Sequence, residues 1–338
     1  MDAQRVLVTG GAGFIGCHLV RVLLEDESVD SVIVYDALTY AGDLANLSEV
    51  KDHPKFKFIQ GDIRDIAQVE ENLSSQQCNR VYHLAAESHV DRSITGPAEF
   101  IETNVLGTFN LLETCRKLWA DIDGRFLHVS TDEVYGALGE TGCFDEKTPY
   151  DPRSPYSASK ASSDHLARSY FHTFQFPVLV THCSNNFGPY QHPEKLIPKT
   201  ISRIMAGETI PVYGDGSNVR DWIYMEDHVE ALILVMDQGK LGETYDIGGG
   251  NEEANLNLVN CICDEIDRLS DKEVGHSREL IEFVTDRLGH DFRYAIDSQK
   301  ISKELGWAPQ STFESALNNT IQWYLNNQDW VKEIEAKG

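Results

Sequence analysis

Arg5-Val6-Leu7-Val8-Thr9-Gly10-Gly11-Ala12-Gly13-Phe14-Ile15-Gly16 runs a short β-branched segment straight into a glycine-rich turn and then into helix-period apolar residues. Gly11, Gly13 and Gly16 satisfy G-x-G-x-x-G, and Gly10, Gly13 and Gly16 satisfy the G-x-x-G-x-x-G variant. At a strand-to-helix turn glycine allows the tight turn, lets backbone approach a pyrophosphate and lets helix pack on sheet. The helix that opens at Phe14-Ile15 offers amide donors to phosphate. Asp36 stands twenty residues past Gly16, at the end of the next apolar run. A carboxylate there accepts hydrogen bonds from an adenosine ribose and repels a 2′-phosphate, which predicts NAD rather than NADP. Asp62-Ile63, after the third such run, reads either as an adenine contact or as a polar turn.

From this motif outward, strands are predicted at Arg5–Thr9, Ser31–Tyr35, Phe56–Gln60, Arg80–His83, Phe126–Ser130 and Pro177–Thr181. Helix-period segments lie between them at Phe14–Glu25, Asp65–Leu73, Pro97–Leu118 and Tyr156–Phe174. The alternation predicts an α/β fold with a doubly wound, parallel Rossmann sheet of six strands. After Ser184 the texture changes to loops rich in Gly, Pro and Asn, with shorter helices at Asp227–Met236 and Leu256–Leu269. A dinucleotide-binding domain over 1–184 and a smaller, partly interleaved α/β substrate domain over 185–330 are expected, with strands near 220–247 able to rejoin the first. The acidic end, Asp329 to Gly338, reads as a frayed helix.

A length of 338 residues favours two such lobes. The 54 acidic residues against 29 basic ones give a formal net charge of -25, which repels nucleic acid and anionic lipid surfaces. A diphosphate ligand would meet the same field, so its site must gather cations and amides locally. The seven cysteines form no Cys-x-x-Cys pair, which argues against a disulfide framework or zinc knuckle and fits a reducing cytoplasm. No signal-peptide pattern and no membrane-spanning apolar run is present. The histidines His83, His89, His182 and His290 lack metal-ligand spacing, and no metal is expected.

Tyr156 and Lys160, in Tyr-Ser-Ala-Ser-Lys, are four apart and share one helical face. A phenol beside an ammonium and a cationic nicotinamide can serve as a base toward a sugar hydroxyl. The fifth strand runs into Thr131-Asp132-Glu133-Val134-Tyr135-Gly136, at the sheet end where ligands bind. Adjacent carboxylates in a strand point to opposite faces, so both reach one substrate only if the chain has already turned off the strand. Otherwise they are a solvated loop or a helix-capping pair.

With these segments, the chain resembles the extended short-chain dehydrogenases of the NAD-dependent epimerase/dehydratase type, and most closely the dTDP-glucose 4,6-dehydratase family, over nearly its whole length. Asp36–Gly42, Ala85–Ser93, Ser184–Tyr190, Pro193–Pro198, Val219–Tyr224 and Asp286–Asp291 carry the resemblance further. It implies that Asp132 is a general acid and Glu133 a general base, with Thr131 beside the tyrosine. It assigns Thr39, Gly42, Leu84, Ala85 and Ala86 to the cofactor, together with Ser88, Thr103 and Asn186. It assigns Ser88, Thr131, Asn185, Lys195, Leu196 and Pro211 to the nucleotide sugar, and also Tyr213, Arg220, Asn255, Arg287 and His290. Lys195, Arg220 and Arg287 would be the converging cations that a diphosphate needs. Ala37 and Leu288 depart from the family, which often has lysine and proline at those positions.

The implied reaction is oxidation of a nucleotide-activated glucose at C4, loss of water across C5–C6 and return of the hydride to C6. A UDP-sugar 4,6-dehydratase remains an alternative. A sugar-nucleotide 4-epimerase or decarboxylase would share the glycine loop and Tyr156/Lys160 but has no use for Asp132-Glu133. A non-catalytic NAD(H) sensor could share the fold, though not a need for that tyrosine and lysine. The resemblance also implies a homodimer paired through the helices at Pro97–Leu118 and Tyr156–Phe174.

Overall fold

The computed structural model describes residues 4–286 and 288–337. β1 (Gln4–Thr9), β2 (Val29–Asp36), β3 (Phe56–Gln60), β4 (Arg80–His83), β5 (Arg125–Val129) and β6 (Val178–Cys183) follow the predicted β-branched runs closely. All six pair in parallel. Three short strands follow, β7 (Asn185–Phe187), β8 (Ile210–Tyr213) and β9 (Val219–Tyr224), before β10 (Thr244–Ile247) returns to pair in parallel with β6. The sheet therefore has seven strands rather than six, in the order β10-β6-β5-β4-β1-β2-β3. The order reverses between β1 and β4, which opens a crevice at the carboxyl ends of the strands.

Both faces of the sheet are buried, which is why its strands read as continuous apolar runs. One face packs Leu19, Val20 and Leu23 of the helix Phe14–Glu25 beside Val229, Leu232 and Val235 of the helix Met225–Gln238. Residues beyond Ser184 thus supply both a strand and a covering helix to the large layer. The other face packs Val69 and Leu73, Leu111 and Leu112, and Ala167 and Tyr170, from three helices of the first half. The second lobe holds its own core around Phe187, Ile201, Trp222, Ile262 and Ile321. It carries a three-stranded sheet, β7 and β9 with β11 (Glu252–Ala254), and a parallel pair, β8 with β12 (Ile281–Val284).

Two elements differ from expectation. The stretch from Pro97 to Leu118 is helical, but Ile101–Gly107 within it is a π turn. Asn104 explains it: buried in that turn, its amide brackets both backbone groups of Glu87, at 2.8 and 2.9 Å, and reaches Ser159 Oγ at 2.8 Å. Such bulges commonly re-aim a helix at a functional site, and the neighbouring Thr103 faces the crevice. The second difference is the end of the chain, where a regular helix, Gln328–Glu335, docks with Val331 and Ile334 buried instead of fraying.

Among the described residues no helix is long and apolar enough to cross a membrane.

Candidate active site

The glycine loop forms because β1 must turn under the adjoining strand ends. Gly10 adopts φ +69°, and a Cβ there would sit 2.7 Å from the Ala85 amide nitrogen; one on Gly16 would sit 2.3 Å from the Gly10 carbonyl oxygen. Gly10, Gly13, Phe14, Ile15 and Gly16 line a cavity of about 320 Å³. Gly11 instead faces Val34, where a Cβ would lie 2.8 Å from Cγ1. The G-x-x-G-x-x-G spacing is therefore the one that meets the cavity, with Gly13 at the N-terminus of the helix.

Each neighbouring strand adds to the same wall. Asp36 ends β2 and accepts amides from Ala12 at 2.9 Å and Leu38 at 2.8 Å. Burial pushes its carboxyl up against those two bonds. A carboxylate can accept more than two hydrogen bonds, so the amides leave room for a ribose. Asp62 is gripped side-on by Arg64, at 2.6 to 3.1 Å; partial burial opposes its charge, and Arg64 outweighs it and lowers the carboxyl. Asp62 and Ile63 line the cavity, as do Thr39, Gly42, Leu84, Ala85, Ala86, Ser88, Thr103 and Asn186.

At the end of β5 the chain leaves the strand at once. Thr131 caps a turn of 3-10 helix, Asp132–Tyr135, its Oγ1 accepting the Glu133 amide at 3.3 Å and donating to Asp132 Oδ1 at 3.3 Å. The cap is therefore Thr131 and neither carboxylate, and the turn it opens carries both carboxylates onto the cavity. Asp132 is 2% exposed, and its Oδ2 has no hydrogen-bond partner among the described residues. Burial, then Glu133 and Asp221, hold its carboxyl well above the usual range, with Arg220 and Thr131 opposing. A carboxyl so placed keeps its proton.

Facing it, the helix Pro155–Phe174 starts with a Ser154/Ser157 capping box and Pro155 in its first turn, which sets where Tyr156 emerges. Tyr156 and Lys160 are both buried and both on the cavity. Lys160 Nζ donates to the Val129 carbonyl at 2.8 Å, and burial lowers its ammonium. Burial, and after it the Glu133 carboxylate, drive the Tyr156 phenol far above its ordinary range, while a hydrogen bond with Thr131 pulls the other way. In the protein alone burial and the neighbouring carboxylate thus set the direction for the phenol.

Below these residues lies a buried polar network. His182 on β6 sits between Asp164, at 3.2 Å, and Asp246 on β10, at 2.8 Å; Tyr135 of the 3-10 turn meets the same ring at 2.8 Å. Burial disfavours a charge on His182, but its two carboxylate partners raise it to about 9.

Of the residues assigned to a nucleotide sugar, Ser88, Thr131, Asn185 and Lys195 share the cavity with the cofactor positions. Lys195 Nζ reaches the Ser88 carbonyl at 3.4 Å, and Leu196 begins the next helix. Pro211, Tyr213, Arg220, Asn255 and His290 stand beyond that wall on the second lobe. Tyr213 packs edge-on against His290, which pairs with Asp286 at 2.6 Å. Arg220 lies over the Tyr294 ring at 4.3 Å and donates to the Asp291 carbonyl at 2.9 Å. Asn255 starts a helix, its Oδ1 buried and unpartnered among the described residues. Arg287 lies outside the described residues.

Val129, Ser130, Cys183, Ser184, Gln191, His192 and Glu194 also line the cavity. The first four end or follow parallel strands, and the rule that ligands sit at those ends would have found them. Gln191 and His192 fall in the gap between two motif segments.

The model of the GDP-mannose 4,6 dehydratase family matches residues 7–320. The dTDP-glucose 4,6-dehydratase of Xanthomonas campestris pv. campestris (strain B100) is 53% identical, the match covering 97% of this chain and 95% of that protein. DesIV, the dTDP-glucose 4,6-dehydratase of Streptomyces venezuelae solved with NAD bound, superposes with a TM-score of 0.91 at 46% identity, over 98% of this chain and 100% of that one. The Bacillus anthracis str. Ames dTDP-glucose 4,6-dehydratase in complex with NAD gives 0.88 at 44% identity, with the same coverage. A cavity joining a glycine cradle, a buried tyrosine and lysine, and a capped pair of carboxylates is what these relatives' name calls for: the chain belongs to the nucleotide-sugar 4,6-dehydratase family, among the dTDP-glucose 4,6-dehydratases.

Proposed function

We propose that the chain converts dTDP-glucose to dTDP-4-keto-6-deoxy-glucose with bound NAD. The observation that carries this reading is the Thr131 cap, which puts a proton-holding Asp132 and Glu133 on one cavity with Tyr156. The cradle at Gly10 and Gly16, which any Cβ would fill, suits a dinucleotide, and Asp36 suits its unphosphorylated ribose. When bound, NAD takes the C4 hydride, lends its cationic ring to the tyrosine, and gives the hydride back at C6.

Tyr156 receives the C4 hydroxyl proton, and Lys160, fixed on the Val129 carbonyl, sets a positive charge beside it. The C4 ketone acidifies the C5 proton, which Glu133 removes. Asp132 delivers its proton to the C6 oxygen, so that water leaves rather than hydroxide. Lys195 and Arg220, with Arg287, neutralise the diphosphate. Incubation with dTDP-glucose should yield a product lighter by one water in the mass spectrum, with UDP-glucose and UDP-N-acetylglucosamine unchanged. Water loss only from a UDP sugar would move the assignment to that substrate, and loss from none would refute the dehydratase reading.

The boundary near residue 184 separates the cofactor lobe from the nucleotide-sugar lobe, with β10 and the helix Met225–Gln238 given back to the first. Seven unpaired cysteines suit the cytoplasm. The chain works as a homodimer, whose contact is the exposed apolar face of Ile101, Leu106 and Phe109 beside Leu166 of the helix Pro155–Phe174. Isolated patches of this kind mark association surfaces. Light scattering at micromolar concentration should give twice the chain mass, and Leu106→Glu should halve it; a wild-type monomer would refute the pairing.

A further inference from the structure

The helix Gln328–Glu335 is remote in sequence from the glycine loop, yet a chain of hydrogen bonds joins them. Trp330 Nε1 donates to Asn46 Oδ1 at 2.9 Å, and Asn46 Nδ2 donates to the Ala12 carbonyl at 2.8 Å. The Ala12 amide in turn donates to Asp36 Oδ2 at 2.9 Å. Ala12 is flanked by Gly11 and Gly13, so the relay ends in the loop that lines the cofactor cavity and in the carboxylate that faces the ribose. A second tie runs parallel: Lys337 pairs with Asp43 at 2.5 Å, and the Asp43 amide donates to the same Ala12 carbonyl at 3.1 Å.

Asn46 is 2% exposed, and its bond to Ala12 is buried away from water. The Asn46 amide donates to Ala12 and accepts from the indole at once; aspartate lacks the donor and leucine lacks both. Packing alone does not account for Trp330. Its ring rests on Trp323 and Tyr190, at 5.1 and 5.7 Å, but phenylalanine would satisfy those contacts without the N–H that is aimed at Asn46.

We propose that Asn46 and Trp330 are positioning residues of the cofactor site, through which the C-terminal helix holds the Ala12 peptide in place and sets how long the dinucleotide stays bound. The inference rests on the NAD reading above. An enzyme that regenerates its cofactor in every turnover gains from slow release, and a rigid cradle supplies it because a preformed loop loses less freedom on binding.

Exchange of the cofactor carried by the purified full-length protein for isotopically labelled NAD tests this. One net hydrogen bond corresponds to roughly 2- to 10-fold in an equilibrium, so Trp330→Phe should exchange about 5-fold faster than wild type. Asn46→Leu should exchange about 10-fold faster or more. The double variant should match Asn46→Leu alone, since both act through one relay. Ile262→Ala opens the core of the second lobe but removes no group of the relay; it should lower the melting temperature while exchange stays near wild type. Exchange in Trp330→Phe at the wild-type rate, or exchange that merely follows melting temperature across the variants, would overturn the proposal. A wild-type protein that carries no NAD would sink the cofactor reading itself, and this inference with it.

Discussion

Glu133→Gln, mixed with dTDP-glucose, should accumulate the absorbance of reduced cofactor on the enzyme while turnover falls by roughly 10²–10⁴-fold, the usual worth of a positioned acid or base. In the proposed mechanism oxidation at C4 uses Tyr156 and Lys160 and not Glu133, so the first step should survive. Glutamine keeps the shape of the side chain but cannot take the C5 proton, and the 4-keto sugar waits. Two secondary effects favour the first step. Glu133 is the principal neighbouring charge that raises the Tyr156 phenol, after burial, and it also helps keep the proton on Asp132. Its neutralisation should ease ionisation of the tyrosine even as elimination stops. Rapid mixing followed by absorbance would show the build-up; its absence, with turnover lost, would mean that Glu133 acts in oxidation instead.

Tyr156→Phe should give the opposite trace, with no reduced cofactor at any time and turnover lower by roughly 10²–10⁴-fold or more. Phenylalanine preserves the ring that packs against Phe100, at 6.3 Å between centroids, so the helix start should be undisturbed. What disappears is the hydroxyl proposed to take the C4 hydroxyl proton. As an ammonium, held on the Val129 carbonyl at 2.8 Å, Lys160 has donors but no lone pair with which to take that proton in its place. Reduced cofactor forming at the wild-type rate in this variant would remove Tyr156 from the first step.

The glycine loop, the six strands and the Tyr156/Lys160 pair were legible in the sequence because each is written locally, in turn chemistry, β-branched runs and helical spacing. The carboxylate pair was legible only as a condition. Whether Asp132 and Glu133 share a cavity depends on where β5 ends, and the Thr131 cap decides that by one hydrogen bond to Glu133. What escaped depends on distant partners. β10 joins the sheet because β6 would otherwise offer an open edge, and the helix Met225–Gln238 covers a face that no nearer segment reaches. The π turn answers to Asn104 and Glu87, whose pairing no periodicity announces. The last helix looked frayed because its residues are mostly acidic and polar, yet Trp330, Val331 and Ile334 anchor it. The cations expected to converge are the least legible part: Lys195 is on the cavity, whereas Arg220 stands on the second lobe, from which its charge acts on Asp132.

The central claim is that one bound cofactor removes hydride from C4 and restores it at C6 while Glu133 and Asp132 carry out the elimination between. Its most direct test follows two labels through a single conversion of dTDP-glucose, by mass spectrometry and proton magnetic resonance of the product. Deuterium placed at C4 of the substrate should reappear at C6, and in heavy water the product should gain solvent deuterium at C5. Loss of the C4 label, with solvent deuterium at C6, would contradict the internal return and the assignment of the two carboxylates with it.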